Sequence, residues 1–379
     1  MRILISLILV LLVLGSCRKD PMIEPLVEPE PVDTIDTYFP TLPDNLFDYE
    51  NEEYPPHILN DPNLAHLFDL IDKNAITNEG ATLGRVLFYD KNLSANNTIS
   101  CASCHHQDKA FADGLAFSPG FEGGLTGRNS MPIINASLNN SLFWDGRASN
   151  AVHQSLMPIQ DAVEMGMELP LLENKLSQID YYKPLFEAAF GDTTISSLKI
   201  SLALGQFVSS IKSYRSKYDQ GVPTNFSNFT AEEQLGKDVF FNGEFTCFQC
   251  HFSENFGGLT TDVTGLDSIS IDMGVYNVTG DLADVGAFRS VPLRNIELTG
   301  PYMHDGRFET LEEVVDFYAT GKKQHANLDF RLSSDYVTGG TPLFMDFTQE
   351  ERSALVAFMK TLTDWEMVAD PKFSNPFPE

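Results

Sequence analysis

The sequence is short of cysteine and of positive charge, and each shortage removes a class of explanation. Only five cysteines occur in 379 residues: Cys17 and the two close pairs Cys101/Cys104 and Cys247/Cys250. Because each pair belongs to a motif, none is left for a structural disulfide. Lys and Arg number 25 against 53 Asp and Glu, giving a formal charge of −28. That balance argues against nucleic acid as a partner and is compatible with a solvated acidic surface or a basic protein partner. Past the first 16 residues no apolar run is long enough to span a bilayer. Residues 18–56 lack glycine and any clear periodicity, and their eleven Asp and Glu are offset only by Arg18 and Lys19. Residues 17–56 therefore read as an acidic, proline-rich, extended tether.

What is present begins at the N-terminus. Arg2 precedes an apolar run from Ile3 to Leu14 of 12 residues, interrupted only by Ser6, which is the size of a secretory h-region. The run ends in LGSC. That ending resembles a lipoprotein signal-peptidase site, with residues 1–16 removed and Cys17 lipidated; an ordinary signal peptide is the alternative. On this reading the chain is exported to the periplasm or cell envelope, and it meets a membrane only through the lipid on Cys17.

The remaining cysteines spell CASCH (Cys101, Cys104, His105) and CFQCH (Cys247, Cys250, His251). This is the pattern of c-type haem attachment: both thiols add to the haem vinyl groups, and the adjacent imidazole becomes the proximal iron ligand. A zinc site would need the two halves to meet across 146 residues. A thioredoxin-like pair would need strand and helix alternation, which is missing. Two covalent haems are expected. His106 lies outside the motif.

The segments around the motifs repeat. TLGRVLFYDKNLS (82–94) precedes the first and QLGKDVFFNGEFT (234–246) the second, where Thr230 and Glu233 form a capping box. SMPIINASLNNSLFWDGR (130–147) follows the first and SVPLRNIELTGPYMHDGR (290–307) the second, with 12 residues from asparagine to arginine in each. The chain thus reads as mostly α, two tandem cytochrome c-like haem domains, at 57–225 and 226–379.

Beyond the second DGR, Thr310 and Glu313 form another capping box, and Leu311, Val314, Val315 and Tyr318 fall on one helical face. Tyr318 is thereby a candidate sixth ligand of the second haem iron; Met303 and Met345 lie in the same half and are alternatives. In the first copy Asn150 takes the cap position and Pro158 matches Tyr318, where the helix is expected to stop. Proline has no atom that can ligate iron, so the first haem has an open face for peroxide or oxygen. Gln154 and Glu164 flank it, as groups to orient a peroxide and shuttle its proton.

These elements resemble the bacterial di-haem cytochrome c peroxidase family and its MauG branch, through CASCH, GRNS, FWDGR, Gln154, Glu164, CFQCH, LTGPYMHDGR and LEEVVDFY over residues 78–365. The resemblance implies that Trp144 is an electron relay between the haems. It implies a calcium ion held by Asn129 and by the carbonyls of Thr299 and Pro301. Two departures from typical peroxidases matter. Tyr318 stands where they have methionine, as in the MauG branch, and the loop 111–130 has no distal histidine. The implied function is reduction of hydrogen peroxide at the N-terminal haem, with electrons relayed from the C-terminal haem and supplied by a small cytochrome c or cupredoxin. The alternatives are MauG-like oxidation of protein side chains through high-valent haems, and a non-enzymatic electron carrier. The family commonly dimerises. His304, the counterpart of Trp144, is expected near the interhaem region, and His57, His66, His153 and His325 at the surface.

Overall fold

A computed structural model describes residues 38–378, apart from 72–73 and 243–246. The expected signal peptide, Cys17 and the first part of the tether lie outside these residues. From Phe39 onward the chain folds as one unit, mostly α-helical, and among the described residues the only strand pair joins Thr261–Asp262 to Phe288–Arg289. None of the described helices is long and apolar enough to cross a membrane.

Seven helices position the site: α1 (Asn78–Tyr89), α2 (Ala151–Gln160), α3 (Ser197–Ser210), α4 (Ala231–Asn242), α5 (Leu311–Asp316), α6 (Gln349–Lys360) and α7 (Trp365–Ala369). Helix α1 packs on α3, and α4 on α6, each through a glycine. A Cβ on Gly84 would stand 2.0 Å from the carbonyl oxygen of Ala203, and one on Gly236 would stand 1.8 Å from that of Ala354. Only glycine lets the backbones approach so closely. Four residues on, Phe88 meets Phe207 and Phe240 meets Phe358, with ring centroids 5.2 Å apart in both copies. The repeat thus extends past the segments matched in the sequence, to ALGQF (203–207) and ALVAF (354–358).

One apolar core surrounds Phe88, Phe111 and Phe207; another surrounds Phe240, Phe256 and Phe358. Packing does not respect a division at residues 225 and 226. Tyr218 belongs to the second core, whereas Met367, Phe373 and Phe377 belong to the first. The C-terminal segment closes over the N-terminal half, where the Tyr89 hydroxyl donates to the Phe373 carbonyl at 2.6 Å.

The tether expectation is corrected over its last part. Tyr49 and Tyr54 are 1% and 5% exposed, and the Tyr49 hydroxyl donates to the Lys372 carbonyl at 2.7 Å. Glu52 accepts from Arg215 and Lys372. The acidic composition of 39–56 looks like that of a linker, but Tyr49 and Tyr54 bury, and this carboxylate meets two cations.

Candidate functional site

Each Cys-x-x-Cys stretch folds as one 3₁₀ turn, Cys101–Ser103 and Cys247–Gln249, with its histidine just beyond. Burial pushes the thiols of Cys101 and Cys250 up to about 12 and those of Cys104 and Cys247 up to about 11. All four are free. No cluster of three or more His, Cys, Asp or Glu among the described residues is arranged to hold a metal ion.

The imidazoles are oriented from outside the motif. His105 Nδ1 lies 2.7 Å from the carbonyl oxygen of Phe111, and His251 Nδ1 lies 2.9 Å from that of Phe256. An Nδ1–H donated to a carbonyl leaves Nε2 as the nitrogen for iron. Both phenylalanines have positive φ, 63° and 55°, a region costing a non-glycine residue about 1–3 kcal/mol. Their fully buried rings hold that conformation. Burial also lowers both histidine pKa values, which keeps the rings neutral. Phe111 and Phe256 were not read as functional; the only signal is a phenylalanine five or six residues past each motif.

Cys104 and His105 line one cavity together with Trp144, Gln154, Pro158 and Glu164. Helix α2 does not stop at Pro158 but runs through it to Gln160. The proline has no N–H to give the Gln154 carbonyl one turn earlier, so the ladder is broken there without ending the helix. Past α2, the loop around Gly120 presses on the Glu164 segment. A Cβ at Gly120 would stand 1.7 Å from the Val163 carbonyl oxygen, and Phe121 N–H donates to the Glu164 carbonyl at 3.0 Å. Burial, then the charge of Asp161, pushes the Glu164 carboxyl up to about 7, against the opposing pull of Arg147. A carboxyl that titrates near neutrality can both take and give a proton.

Cys247, Cys250 and His251 line a second cavity. Thr310 and Glu313 cap α5 reciprocally, and Leu311, Val314, Val315 and Tyr318 all face this cavity. At Phe317–Gly321 the helix widens into a π turn, which carries Tyr318. Met303 and Met345 line the same cavity, so all three candidate ligands are gathered there. Burial first, then the nearby Cys250 and Cys247, raises the Tyr318 phenol well above its usual value. Asn129, Thr299 and Pro301 also share the wall, and Asn129 Nδ2 donates to the Leu115 carbonyl at 2.7 Å, leaving Oδ1 uncommitted by that bond.

Trp144 lines both cavities. Its Nε1 donates to the Asn129 carbonyl at 2.9 Å, and its ring lies 6.4 Å from that of His304, which stacks on Phe288 at 3.9 Å. His66, His106 and His153 are exposed, but two other histidines depart from the surface expectation. His57 is half-buried against Asp219 at 2.8 Å, and His325, 5% exposed, lies between Ser270 Oγ and the Asn327 N–H.

The family model for di-haem cytochrome c peroxidase matches residues 78–225. The methylamine utilization protein MauG of Methylophilus methylotrophus is 31% identical over 76% of this chain and 84% of its own length. The chain belongs to the di-haem cytochrome c peroxidase family. Within that family, the cytochrome c551 peroxidase of Nitrosomonas europaea is 30% identical over 80% of this chain and 88% of its own. A crystal structure described as a MauG-like protein associated with microbial copper homeostasis superposes with a TM-score of 0.74 at 34% identity, covering 86% of this chain and 99% of that one. A di-haem family implies two c-type haems. Each motif of this chain offers the paired thiols and the neutral, oriented imidazole that one such haem requires.

Proposed function

We propose that this family member is a peroxide-dependent oxidoreductase whose two haems have unequal roles, the N-terminal one reducing hydrogen peroxide and the C-terminal one relaying electrons to it. The observation that supports this reading is the contrast between matching helix positions: Pro158 beside the first haem cavity and Tyr318 beside the second. Bound haem supplies an iron that exchanges electrons with peroxide. Gln154, on the turn of α2 before Pro158, orients the incoming molecule through its amide. Glu164 moves the proton, since a carboxyl held at about 7 can accept it from one peroxide oxygen and deliver it to the other. Trp144, in the wall of both cavities, carries charge between them. The acidic surface suits a basic cytochrome or cupredoxin as donor.

A second reading is favoured by Tyr318. A phenolic oxygen in place of a thioether sulfur stabilises ferric iron, making the second haem a poorer acceptor from a soluble donor and a better holder of oxidising equivalents for a protein substrate. Stopped-flow mixing with peroxide, with and without a reduced cytochrome, tests the two. Multiple turnovers with the donor support the peroxidase; a long-lived oxidised protein indifferent to the donor supports oxidation of a protein substrate; no reaction with peroxide sinks both.

The same reading includes a calcium ion at Asn129 Oδ1 with the carbonyls of Thr299 and Pro301, which are hard oxygen donors. It also includes export and anchoring through Cys17 and two haem domains meeting at Trp144. Loss of calcium on dialysis against chelator, followed by the spectrum of the second haem, tests the first of these.

A further inference from the structure

Nine arginines lie among the described residues, and seven of them pair with carboxylates. The other two are Arg85 and Arg289. Arg85 is held by the carbonyl and hydroxyl of Ser374 and lines neither cavity. Arg289 lines both cavities, and only 8% of it is exposed.

The direct hydrogen-bond partners of Arg289 are polar but uncharged. Nη1 donates to the Phe143 carbonyl at 3.2 Å and Nη2 to Asn139 Oδ1 at 2.8 Å. A guanidinium has five N–H donors, so these bonds leave it unsaturated. The carboxylate that acts on it, Asp145, is already held by Arg128 and Arg147. Burial lowers the Arg289 pKa to about 10, the sign of a cation short of counter-charge. A charge so buried without a counter-charge of its own is unfavourable, and the fold nevertheless fixes it in place. Its backbone N–H donates to the Trp144 carbonyl at 2.9 Å, and the residue pairs with Thr261 in the two-stranded ladder.

The repeat sharpens the point. Arg289 in RSVP matches Asn129 in NSMP, and the Asn129 N–H donates to the His304 carbonyl at 2.8 Å, as Arg289 does to Trp144. The two backbones are equivalent; only one of the two side chains is a cation. Arg128, Arg147 and Arg294 also line the first cavity, but Arg289 alone among the described arginines lines both.

We propose that Arg289 receives haem propionates where the two cavities meet, as a single cation shared by both haems, and that it positions them and raises the reduction potential of each. The guanidinium fork matches a carboxylate in bidentate fashion, and a fixed positive charge near both irons favours their reduced states. This rests on the two haems of the family and stands whether or not peroxide is the substrate, so turnover is not its test.

The test is anaerobic spectroelectrochemical titration of holoprotein carrying Arg289→Gln or Arg289→Lys, with low-frequency resonance Raman spectra in H2O and D2O. The expected result is that both midpoint potentials fall in the glutamine variant, spin states stay as in the parent, and lysine restores part of the loss. Propionate bending bands should shift on deuteration in the parent and lose that shift in the glutamine variant. Unchanged potentials, a change at one haem only, or bending bands indifferent to the substitution would each overturn the proposal. Should the glutamine variant not accumulate with haem, the lysine variant decides. Altered propionate bands there support the assignment, and bands identical to the parent in H2O and D2O refute it.

Discussion

Replacing Glu164 with glutamine should stabilise this protein at high pH while slowing its reaction with peroxide. In the folded chain the carboxyl titrates at about 7 instead of near 4.5, because burial and Asp161 oppose its ionisation more than Arg147 favours it. A rise from 4.5 to about 7, at 1.36 kcal/mol per tenfold, means that keeping Glu164 ionised in the fold costs about 3 kcal/mol. The sign follows from linkage: the folded pKa is raised, so the penalty is absent below 4.5, grows as pH climbs toward 7, and is full above it. A neutral amide of the same shape carries no such penalty. Denaturant unfolding followed by far-UV circular dichroism should give equal stabilities for parent and Glu164→Gln at pH 4. By pH 8 the variant should be ahead by up to about 3 kcal/mol. The peroxide rate of the variant should fall by about 10²-fold or more and lose its pH dependence near 7. A stability difference independent of pH, or a variant less stable at pH 8, would refute the reasoning from burial.

Gly236→Ala places a methyl 1.8 Å from a backbone carbonyl oxygen and should cost about 3 kcal/mol or more in unfolding free energy, with the spectrum of the second haem disturbed before that of the first. Burial raises the Glu52 carboxyl, but hydrogen bonds from Lys372 and Tyr214 outweigh it and hold the pKa below 4.5. Glu52→Gln should therefore be less stable than the parent at pH 7, and the deficit should shrink as pH falls below 4.5; a pH-independent deficit would point to packing instead. Tyr318→Phe should change the absorption and EPR signals of the second haem alone, and signals identical to the parent would pass the ligand role to Met303 or Met345.

The two Cys-x-x-Cys-His motifs, the internal repeat and the helix face that ends in Tyr318 were legible because each is local: a fixed spacing, a capping box, a 3.6-residue period. Nothing in the sequence shows that α5 widens into a π turn at Tyr318 or that α2 continues through Pro158, since both depend on packing against a cavity wall. The strap at 39–56 was misread for a related reason. Its composition is that of a solvated linker, and the distant Lys372, Tyr214 and Arg215 make burial of Glu52 favourable. Phe111 and Phe256 act through their carbonyls, an atom every residue has, so their identity says nothing of the imidazoles they orient. Arg289 looks like one more basic residue in the sequence, because only the fold shows seven of the nine described arginines paired with carboxylates and Arg85 away from both cavities.

The division of labour between the haems is tested most directly by low-temperature EPR of the ferric protein as isolated. With Pro158 beside the first iron and a side-chain ligand in the second cavity, the spectrum should contain one high-spin signal from an open haem and one low-spin signal, in equal amounts, and added fluoride should perturb the high-spin signal alone. Two low-spin signals, neither perturbed, would mean that both irons are closed and would contradict the account.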